Sequence, residues 1–305
     1  MKPFFSEKVL VVPKWSRLEC EMRKTRQSME FVLDYFDKKG VDIHSLERGY
    51  QQNNWVIQKA KEFLDERMFV ERDDLTNELV KNKTILLSIG GDNHFQYVSH
   101  FADEQIVIGI NSDPGRSDGA LTSFMMGDLD ELVERMEKND VKMELWPRLQ
   151  VELNGKKIFP LAASEIFLGE QRRDVMSRHV LEWNGKKEDQ KSSGLIVSTP
   201  AGMSGWFHSA MWYVKEKPRV CEKSSDCFSF VLTEPHVGRL STISMLHGIV
   251  GKNDSIAVYS KNNDSGILSI DYWKAFPFPE GSIAKIGLGK PLRVGIRSYE
   301  KKSNR

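Results

Sequence analysis

The 305-residue sequence predicts an N-terminal α/β domain with a Rossmann-like sheet, followed by a C-terminal all-β domain of the β-sandwich type. In the first half, short apolar runs such as KVLVV (8–12) and IVIGINS (106–112) alternate with segments of helical periodicity, which is typical of a parallel sheet covered by helices. In the second half, β-rich segments are separated by Asn-Gly, Asn-Asp and Pro-x-Gly turns. The pattern changes near residue 141, so we place the domains at 1–143 and 144–305 and treat the last strands as candidates to return to the first domain.

Each element of the α/β half has its own signal. The predicted elements are, in chain order, a strand at 8–12, a helix at 16–39 ended by Gly40, a helix at 53–68, a strand at 84–89, a helix beginning after 92, a strand at 106–112 and an amphipathic helix at 128–139. In the β half, Asn154-Gly155 and Asn184-Gly185 predict tight hairpins, and only 202–215 has helical character.

Composition restricts the possible partners. Lysine and arginine together number 44 against 43 aspartates and glutamates, so the chain has no electrostatic preference for nucleic acid or an anionic membrane. No uncharged apolar run approaches the ~20 residues that cross a bilayer, and the N-terminus lacks the apolar region of a signal peptide. The three cysteines lack the spacing of a zinc site, so we expect free thiols in a reducing compartment. The sequence predicts a cytoplasmic protein whose partners are small molecules or copies of itself.

The first candidate site is the stretch ILLSIGGDNHF (85–95). A run of β-formers ends in Gly90 and Gly91, which allow a ligand to approach the backbone closely. Asp92 follows as a candidate base or Mg²⁺ ligand, and Asn93 comes next. A simple tight turn is the alternative reading of this triplet.

A second polar loop leaves the next predicted strand. Asn111 begins the run NSDPGRSDG, and Arg116 in that run is suited to bidentate binding of a phosphate. Because ligands bind at the carboxyl ends of strands in α/β sheets, the two loops are expected beside each other. A solvated turn is the alternative, since Asn-Ser-Asp-Pro-Gly is also good turn chemistry.

The β half contributes further candidates for binding a cofactor. Ser164-Glu165 places a glutamate in an apolar strand, where it either faces solvent or binds a group such as a ribose diol, whereas Glu170 is expected at the surface. The run SSGLIVSTPAGMSGW leads from a strand into a helix and suits a pyrophosphate or ribose. Its candidate residues, together with the later Pro-His, are Ser193, Thr199, Ala201, Ser204, Trp206 and His236.

Taken together, these motifs resemble the NAD kinase family in order and spacing. The match rests on the Gly-Gly-Asp turn, the Gly-x-Asn loop, the residue-Glu pair and Ser-Thr-Pro-x-Gly before a helix. GINSDPGRSDG (109–119), SEIFLGE (164–170), QKSSGLIVSTPAG (190–202) and SFVLTEP (229–235) are most similar to the mitochondrial branch of that family. The resemblance covers most of the chain, from about residue 8 to the C-terminal strands.

The resemblance implies a kinase that moves the γ-phosphoryl of ATP onto the 2′-hydroxyl of the adenosine ribose of NAD, giving NADP. Asp92 would be the general base, the two glycines would cradle phosphate, and Asn111 would belong to the nucleotide loop. Glu165 would hold a ribose, and the segment 199–206 would line the NAD pocket. Mg²⁺ would accompany ATP. Members of the family are usually homodimers or larger, so a dimer or tetramer is expected.

The chain departs from the family pattern at several positions. Asn93 and His94 stand where the family usually has Gly and Thr, and Ser164 stands where it usually has Asn. We attribute the tolerance of Asn93 to the ability of asparagine to adopt a left-handed backbone. Two alternatives to an active NAD kinase therefore stay open. One is an NAD- or nucleotide-binding relative with weak or no transfer activity. The other is a lipid-type kinase, which would share the Gly-Gly-Asp turn but not the SSGLIVSTPAG run.

Overall fold

The computed structural model describes residues 7–212, 214, 221–238 and 243–297. The chain divides into two compact units, which are Met1–Met143 with Val294–Arg305, and Glu144–Arg293. The first is an α/β unit and the second is an antiparallel β unit, as the sequence predicts.

Seven α-helices and eighteen strands lie within the described residues. The helices are α1 (Arg17–Thr25), α2 (Met29–Asp37), α3 (Ile43–Phe63), α4 (Asn77–Val80), α5 (Asp92–Ser99), α6 (Leu129–Glu137) and α7 (Trp206–Ala210). The first nine strands are β1 (Val9–Pro13), β2 (Ile85–Gly90), β3 (Ile106–Asn111), β4 (Phe124–Met125), β5 (Met143–Trp146), β6 (Leu149–Leu153), β7 (Lys156–Ala162), β8 (Glu165–Glu170) and β9 (Ser177–Trp183). The others are β10 (Lys186–Ser192), β11 (Gly194–Ser198), β12 (Cys227–Thr233), β13 (His247–Gly251), β14 (Ser255–Ser260), β15 (Gly266–Ile270), β16 (Lys274–Pro277), β17 (Ile283–Leu288) and β18 (Leu292–Gly295).

The sheet of the first unit has the order β1-β2-β3-β18-β5, and β4 also pairs with β3. Strands β1, β2 and β3 are parallel neighbours. Their side chains are almost all buried, which explains why these strands appear in the sequence as continuous apolar runs. Apolar residues of α3 and α6 complete one core with these strands, among them Val56, Ala60, Leu132 and Met136. The carboxyl ends of β2 and β3 consequently lie side by side.

The helix predicted over 16–39 is wrong as a single helix, because the chain forms α1 and α2 with a break between them. Arg26 ends α1 in a left-handed conformation, with φ of 56°. Ser28 then starts α2 by accepting the N–H of Phe31. The predicted helix at 53–68 is also displaced, because α3 begins ten residues earlier, where Asp42 caps it.

The second unit is a sandwich of two six-stranded sheets, in the orders β10-β9-β14-β17-β6-β7 and β13-β12-β11-β8-β15-β16. Both sheets contribute to one apolar core, for example Leu181 and Val258 from the first sheet, and Leu168 and Phe230 from the second. Every pairing recorded within these two sheets is antiparallel.

Both predicted Asn-Gly hairpins are confirmed. Asn154-Gly155 joins β6 to β7, and Asn184-Gly185 joins β9 to β10. All four residues have positive φ, between 50° and 78°, as a type I′ turn requires at both of its central positions.

The helix predicted over 202–215 is shorter than expected. It consists of a 3₁₀ turn at Gly202–Ser204 and the five-residue α7, and residues 213 and 215–220 lie outside the described residues. Among the helices that the structure describes, none is both long enough and apolar enough to span a membrane. The three cysteines are free thiols, as predicted.

Candidate active site

The Gly-Gly-Asp turn lies at the carboxyl end of β2. Gly90 is the last residue of that strand and pairs with Asn111 at the end of β3. Gly91 is the N-cap of α5, with an extended backbone and no capping side chain, and Asp92 is the first helical residue. A Cβ on Gly90 would lie 2.8 Å from the His94 Cβ, and one on Gly91 would lie 2.8 Å from the Ser117 Oγ. Neither glycine is among the residues with positive φ, so it is the lack of space for a Cβ that favours glycine at both positions.

The carboxylate of Asp92 anchors the loop that follows β3. Its Oδ2 accepts the backbone N–H of Ala120 at 3.0 Å, and its Oδ1 accepts that of Leu121 at 2.7 Å. Each carboxylate oxygen has a second lone pair, so both can accept one more hydrogen. Asp92 is half-buried. Its carboxylate is therefore held in one orientation and still has acceptor capacity for a substrate hydroxyl.

Asn93 and His94 occupy different environments. Asn93 is exposed within α5 and is not among the residues with positive φ, so the left-handed backbone that we expected to explain its presence is wrong. His94 is only 5% exposed, and its Nε2 lies 2.8 Å from the carbonyl oxygen of Val12 in β1. Burial lowers the pKa of His94 to about 4, so the ring is neutral near pH 7 and its Nε2–H donates to Val12. His94 is thus a core residue that ties α5 to β1.

We predict that His94→Thr lowers the free energy of unfolding by about 2 to 4 kcal/mol and does not raise enzymatic activity. The change removes the hydrogen bond to Val12 and leaves a cavity beside Gly90. Urea unfolding measures the effect. The same substitution at the exposed His44 is the matched control and should change stability by less than about 0.5 kcal/mol. An unchanged stability together with a faster reaction would show that His94 obstructs the reaction centre.

Asn111 organises the loop at 112–119. Its Nδ2 donates to the carbonyl oxygen of Ser117 at 2.9 Å, and its Oδ1 accepts the backbone N–H of Asp113 at 3.1 Å. Gly119, at φ +65°, lies so close to Asn111 that no Cβ would fit between them. The side chain of Asn111 is therefore engaged within its own loop, which it holds closed.

Arg116 extends from this loop to α3. Its Nη2 donates to the carbonyl oxygen of Ser45 at 3.0 Å and to the Ser45 hydroxyl at 3.2 Å. Its Nε lies 4.0 Å from the Asp113 carboxylate. Gly91 lies against Ser117, whose carbonyl Asn111 holds, and Gly90 pairs with Asn111. The structure therefore brings the glycine pair and Asp92 together with the loop of Asn111 and Arg116, whereas Asn93 is exposed.

In the second unit, Ser164 and Glu165 are held in place by an aspartate that the sequence analysis missed. The carboxylate of Asp271 accepts the backbone N–H groups of Ala163, Ser164 and Glu165 at 2.7, 2.9 and 2.8 Å. Its own N–H donates to the Glu165 carbonyl at 2.9 Å. Asp271 and Tyr272 have φ of 44° and 51°. Non-glycine residues with such φ values carry a conformational cost that persists where the surrounding structure enforces it.

Glu165 is largely buried and incompletely satisfied. Its carboxyl group accepts the backbone N–H of Phe207, while its Oε2 has no hydrogen-bond partner among the described residues. Burial, with a further contribution from the charge of Asp271, raises the pKa of Glu165 to about 7. Of the two alternatives for this glutamate, solvent exposure is wrong. An inward-facing carboxyl group with a free acceptor is suited to bind a hydroxyl.

We predict that Asp271→Asn shifts the ionisation of Glu165 toward the ordinary pKa of a glutamate, because the neighbouring negative charge is lost. The midpoint, followed by ¹³C NMR of the glutamate carboxyl group, should move to lower pH. The loss of one of three charge-assisted bonds should also reduce stability by about 1 to 3 kcal/mol. Asp264→Asn, an exposed change in the same unit, is the control. A midpoint that stays near 7 would contradict the role given to Asp271.

The Ser-Thr-Pro-x-Gly loop packs onto the same segment. The Thr199 N–H donates to the Ser164 carbonyl at 2.8 Å, and its hydroxyl donates to the Ala163 carbonyl at 2.9 Å and accepts the Gly202 N–H at 3.1 Å. A Cβ on Gly202 would overlap Ser164, so glycine is required there. Thr199 is fully buried and serves to brace this loop.

The remaining residues of this loop differ in exposure. Ala201 is buried, whereas Ser204 is exposed and its hydroxyl donates to the Ala201 carbonyl at 3.3 Å. Trp206 is 38% exposed and packs on Phe167, with ring centroids 5.1 Å apart. The Arg173 guanidinium lies 5.2 Å from the Trp206 centroid. Trp206 thus forms part of a partly exposed aromatic surface.

Ser193 lies at the other end of β11, about 20 Å from Thr199 at the usual rise per residue. It nevertheless connects to the aromatic surface through Glu234, which accepts a hydrogen bond from the Ser193 side chain and pairs with Arg173 at 3.0 Å. His236 is exposed in the loop after β12, and its N–H donates to the Lys191 carbonyl at 2.8 Å. Among the described residues, no contact joins His236 to Glu165 or Thr199.

Comparison with known proteins shows sequence similarity to NAD kinases. No protein-family model matches the chain. The chain is 25% identical over 186 residues to NAD kinase 2 of Geobacillus kaustophilus (strain HTA426), covering 59% of this chain and 67% of that protein. It is 24% identical over 273 residues to the mitochondrial NAD kinase 2 of Xenopus tropicalis, covering 68% and 64%, and 26% identical over 255 residues to the human mitochondrial protein, covering 67% and 58%. These similarities support the resemblance of the chain to the NAD kinase family.

Solved structures of NAD kinases share the fold of this chain. An NAD kinase from Archaeoglobus fulgidus in complex with ATP superposes with a TM-score of 0.61 at 22% identity, covering 78% of this chain and 88% of that one. Yeast NADH kinase complexed with NADH gives 0.62 at 14% identity, covering 75% and 66%. At these identities the likeness establishes the fold alone, namely an α/β domain followed by an antiparallel β-rich region. The chain spans between 58 and 67% of the three curated NAD kinases above.

Proposed function

We propose that this chain is a member of the NAD kinase family and transfers the γ-phosphoryl of ATP to the 2′-hydroxyl of the adenosine ribose of NAD, forming NADP. The observation that carries the proposal is the Asp92 carboxylate, fixed by two backbone N–H groups directly after a glycine pair at the carboxyl end of β2. The curated relatives, all named NAD kinases, support the same activity.

Asp92 is proposed as the general base. It accepts the proton of the 2′-hydroxyl while the hydroxyl oxygen attacks the γ-phosphorus, and the bond to the bridging oxygen breaks to release ADP. Gly90 and Gly91 leave room for phosphate oxygens, and Asn111 keeps the adjoining loop in place. Arg116 offers a guanidinium to the phosphate chain.

The second unit is proposed to hold NAD. Glu165 accepts hydrogen bonds from a ribose through its carboxyl group once the buried Oε2, which has no partner among the described residues, turns toward the ligand. The segment from Thr199 to Trp206 forms the wall of the pocket. The backbone of Ser164, which Asp271 holds in place, forms part of the same pocket wall. Trp206 offers an aromatic face to a flat ring. Ser193 and His236 are proposed to contact the more distant part of the cofactor. Complexes of the yeast relative with NADH and of the archaeal relative with ATP support these two ligand classes.

Mg²⁺ fits this scheme as a companion of the donor. Among the described residues, no three histidine, cysteine, aspartate or glutamate side chains converge on a metal site. Mg²⁺ in phosphoryl-transfer enzymes is commonly held by one or two carboxylates together with substrate phosphates. We propose that Mg²⁺ binds with the phosphates of ATP and neutralises their charge.

A binding relative with weak transfer activity is the second candidate, and the departure at Asn93 favours it. Two measurements separate the candidates. NAD should raise the thermal midpoint of the purified protein in both cases. Only the kinase should produce NADP when ATP and Mg²⁺ are added. Transfer of the labelled γ-phosphoryl group from ATP to a lipid, without formation of NADP, would support the lipid-type alternative.

We extend the proposal to the assembly and location that the sequence predicts, a homodimer or tetramer in the cytoplasm. Light scattering on the purified protein tests the assembly. A mass corresponding to a single 35.0 kDa chain across the micromolar range would contradict it.

A further inference from the structure

Two cysteine side chains meet at the start of β12, outside the residues assigned above to phosphoryl transfer or to NAD. Cys227 is the first residue of β12 and pairs with Gly251 of β13. Cys221 stands six residues earlier, and the chain turns between the two, with the Ser225 N–H donating to the Glu222 carbonyl at 2.8 Å. Both cysteines are free thiols, and their Sγ atoms lie 2.7 Å apart. A covalent bond between them needs only a small movement of the side chains.

The two thiols of this pair differ in reactivity. Both side chains are only partly buried, so a small reagent can reach them. Burial, and the hydrogen bond that its S–H donates to the Cys221 Sγ, raise the pKa of Cys227 to about 12. Cys227 therefore keeps its proton near pH 7. Because the thiolate is the nucleophile, Cys221, which accepts that hydrogen bond, is the sulfur that attacks first.

Cys221 also packs against an apolar cluster that includes residues of the proposed NAD pocket. The cluster contains Met203 of the pocket wall, Phe207 of α7 and Val231 of β12. Phe207 is the residue whose backbone N–H binds the Glu165 carboxyl group. A covalent bond at Cys221 therefore restrains the cluster that carries the hydrogen-bond donor to Glu165. All of these residues belong to the second unit.

We propose that Cys221 and Cys227 form a reversible intramolecular disulfide, a modification site at which the protein reacts with low-molecular-weight disulfides. The Cys221 thiolate attacks one sulfur of such a disulfide, whose S–S bond breaks and releases the first thiol. The Cys227 sulfur, on losing its proton, then attacks the Cys221 sulfur of the mixed disulfide and releases the second thiol. Two cysteine thiols are oxidised, one disulfide is reduced to two thiols, and the two protons leave with those thiols. In a reducing compartment such disulfides are transient and serve redox sensing.

The consequence for NAD rests on the proposed function. The disulfide ties Cys221 to the first residue of β12 and so restricts the motion of the cluster around Phe207. A pocket wall that is already ordered loses less conformational entropy when the ligand binds. The oxidised chain should therefore bind NAD about 3-fold more tightly than the reduced chain.

Mass spectrometry after treatment with oxidised glutathione tests the disulfide without requiring catalysis. The full chain should lose two hydrogens, peptide mapping should place the bond between Cys221 and Cys227, and dithiothreitol should restore both thiols. Cys227→Ser should stop at a glutathione adduct on Cys221, because the second attack is missing. Cys20→Ser, at the cysteine of the first unit, is the matched control and should still form the disulfide. Absence of the Cys221–Cys227 bond, even with oxidised glutathione alone, would overturn the proposal.

Calorimetry of NAD binding to the oxidised and reduced chain then tests the coupling. Tighter binding by the oxidised chain, absent from Cys221→Ser after the same treatment, would support it. Equal NAD affinity in both redox states, with the disulfide formed, would refute the coupling and leave the modification site in place. A disulfide in a chain that makes no NADP would support the modification site and refute the proposed function.

Discussion

Asp92→Asn is expected to reduce the rate of NADP formation by about 10²- to 10⁴-fold, the usual contribution of a general base. The carboxylate also holds the N–H groups of Ala120 and Leu121, and an amide can accept from only one of its two atoms. A loss of about 1 to 3 kcal/mol in stability should therefore accompany the loss of rate. Steady-state kinetics and urea unfolding measure the two effects.

The binding data decide between the two roles of Asp92. If it is the base, Asp92→Asn should bind NAD and ATP with nearly unchanged affinity while kcat falls. If it only anchors the loop, donor affinity should fall together with stability, the KM for ATP should rise, and kcat should stay near that of the unmodified chain. Asp130→Asn, an exposed aspartate in the same unit, controls for the loss of charge.

NAD affinity is expected to rise by about 10-fold between pH 6 and pH 8, because Glu165, with its pKa raised to about 7, binds the ribose in its ionised form. Calorimetry in buffers of different ionisation enthalpy should also detect proton release when NAD binds near pH 7. Glu165→Gln should weaken NAD binding by about 10- to 100-fold and abolish most of the pH dependence. Glu280→Gln, at an exposed glutamate of the same unit, should retain both.

The stability of the NAD-free protein should change in the opposite direction. Since the pKa of Glu165 is raised from 4.5 to about 7 in the folded state, the unfolded chain releases this proton at lower pH than the folded one. The contribution of Glu165 to the free energy of unfolding is therefore present in full below pH 4.5. It is lost as the pH rises to about 7, and the loss amounts to about 3 kcal/mol at most. Glu165→Gln should lack this loss. A wild-type NAD affinity that is flat between pH 6 and 8 would contradict the assignment of Glu165.

Local sequence signals predicted most of the fold. Buried parallel strands produce continuous apolar runs, and both Asn-Gly turns adopt the positive φ values that their residues favour. The break between α1 and α2 also had a local signal, because each helix has its own N-terminal cap. Ser16 and Glu19 form a capping box at the start of α1, and Ser28 caps the start of α2. That signal was outweighed by the continuous helical periodicity of the segment.

The errors at the site come from long-range partners. Glu170 was expected at the surface, yet it is 1% exposed because the Asn263 N–H and the Ser265 hydroxyl, more than 90 residues later in the chain, bond to its carboxylate. Asp271 was missed for the same reason, since the backbone groups it holds are over 100 residues away. Neither pairing leaves a pattern in the local sequence.

The measurement that tests the central claim most directly is phosphoryl transfer from γ-³²P-labelled ATP to NAD by the purified chain in the presence of Mg²⁺. The proposed function predicts that the label appears in the 2′-phosphate of NADP and that Asp92→Asn reduces this to near background. The absence of labelled NADP, with unlabelled polyphosphate also failing to yield NADP and with NAD binding intact, would contradict the kinase assignment.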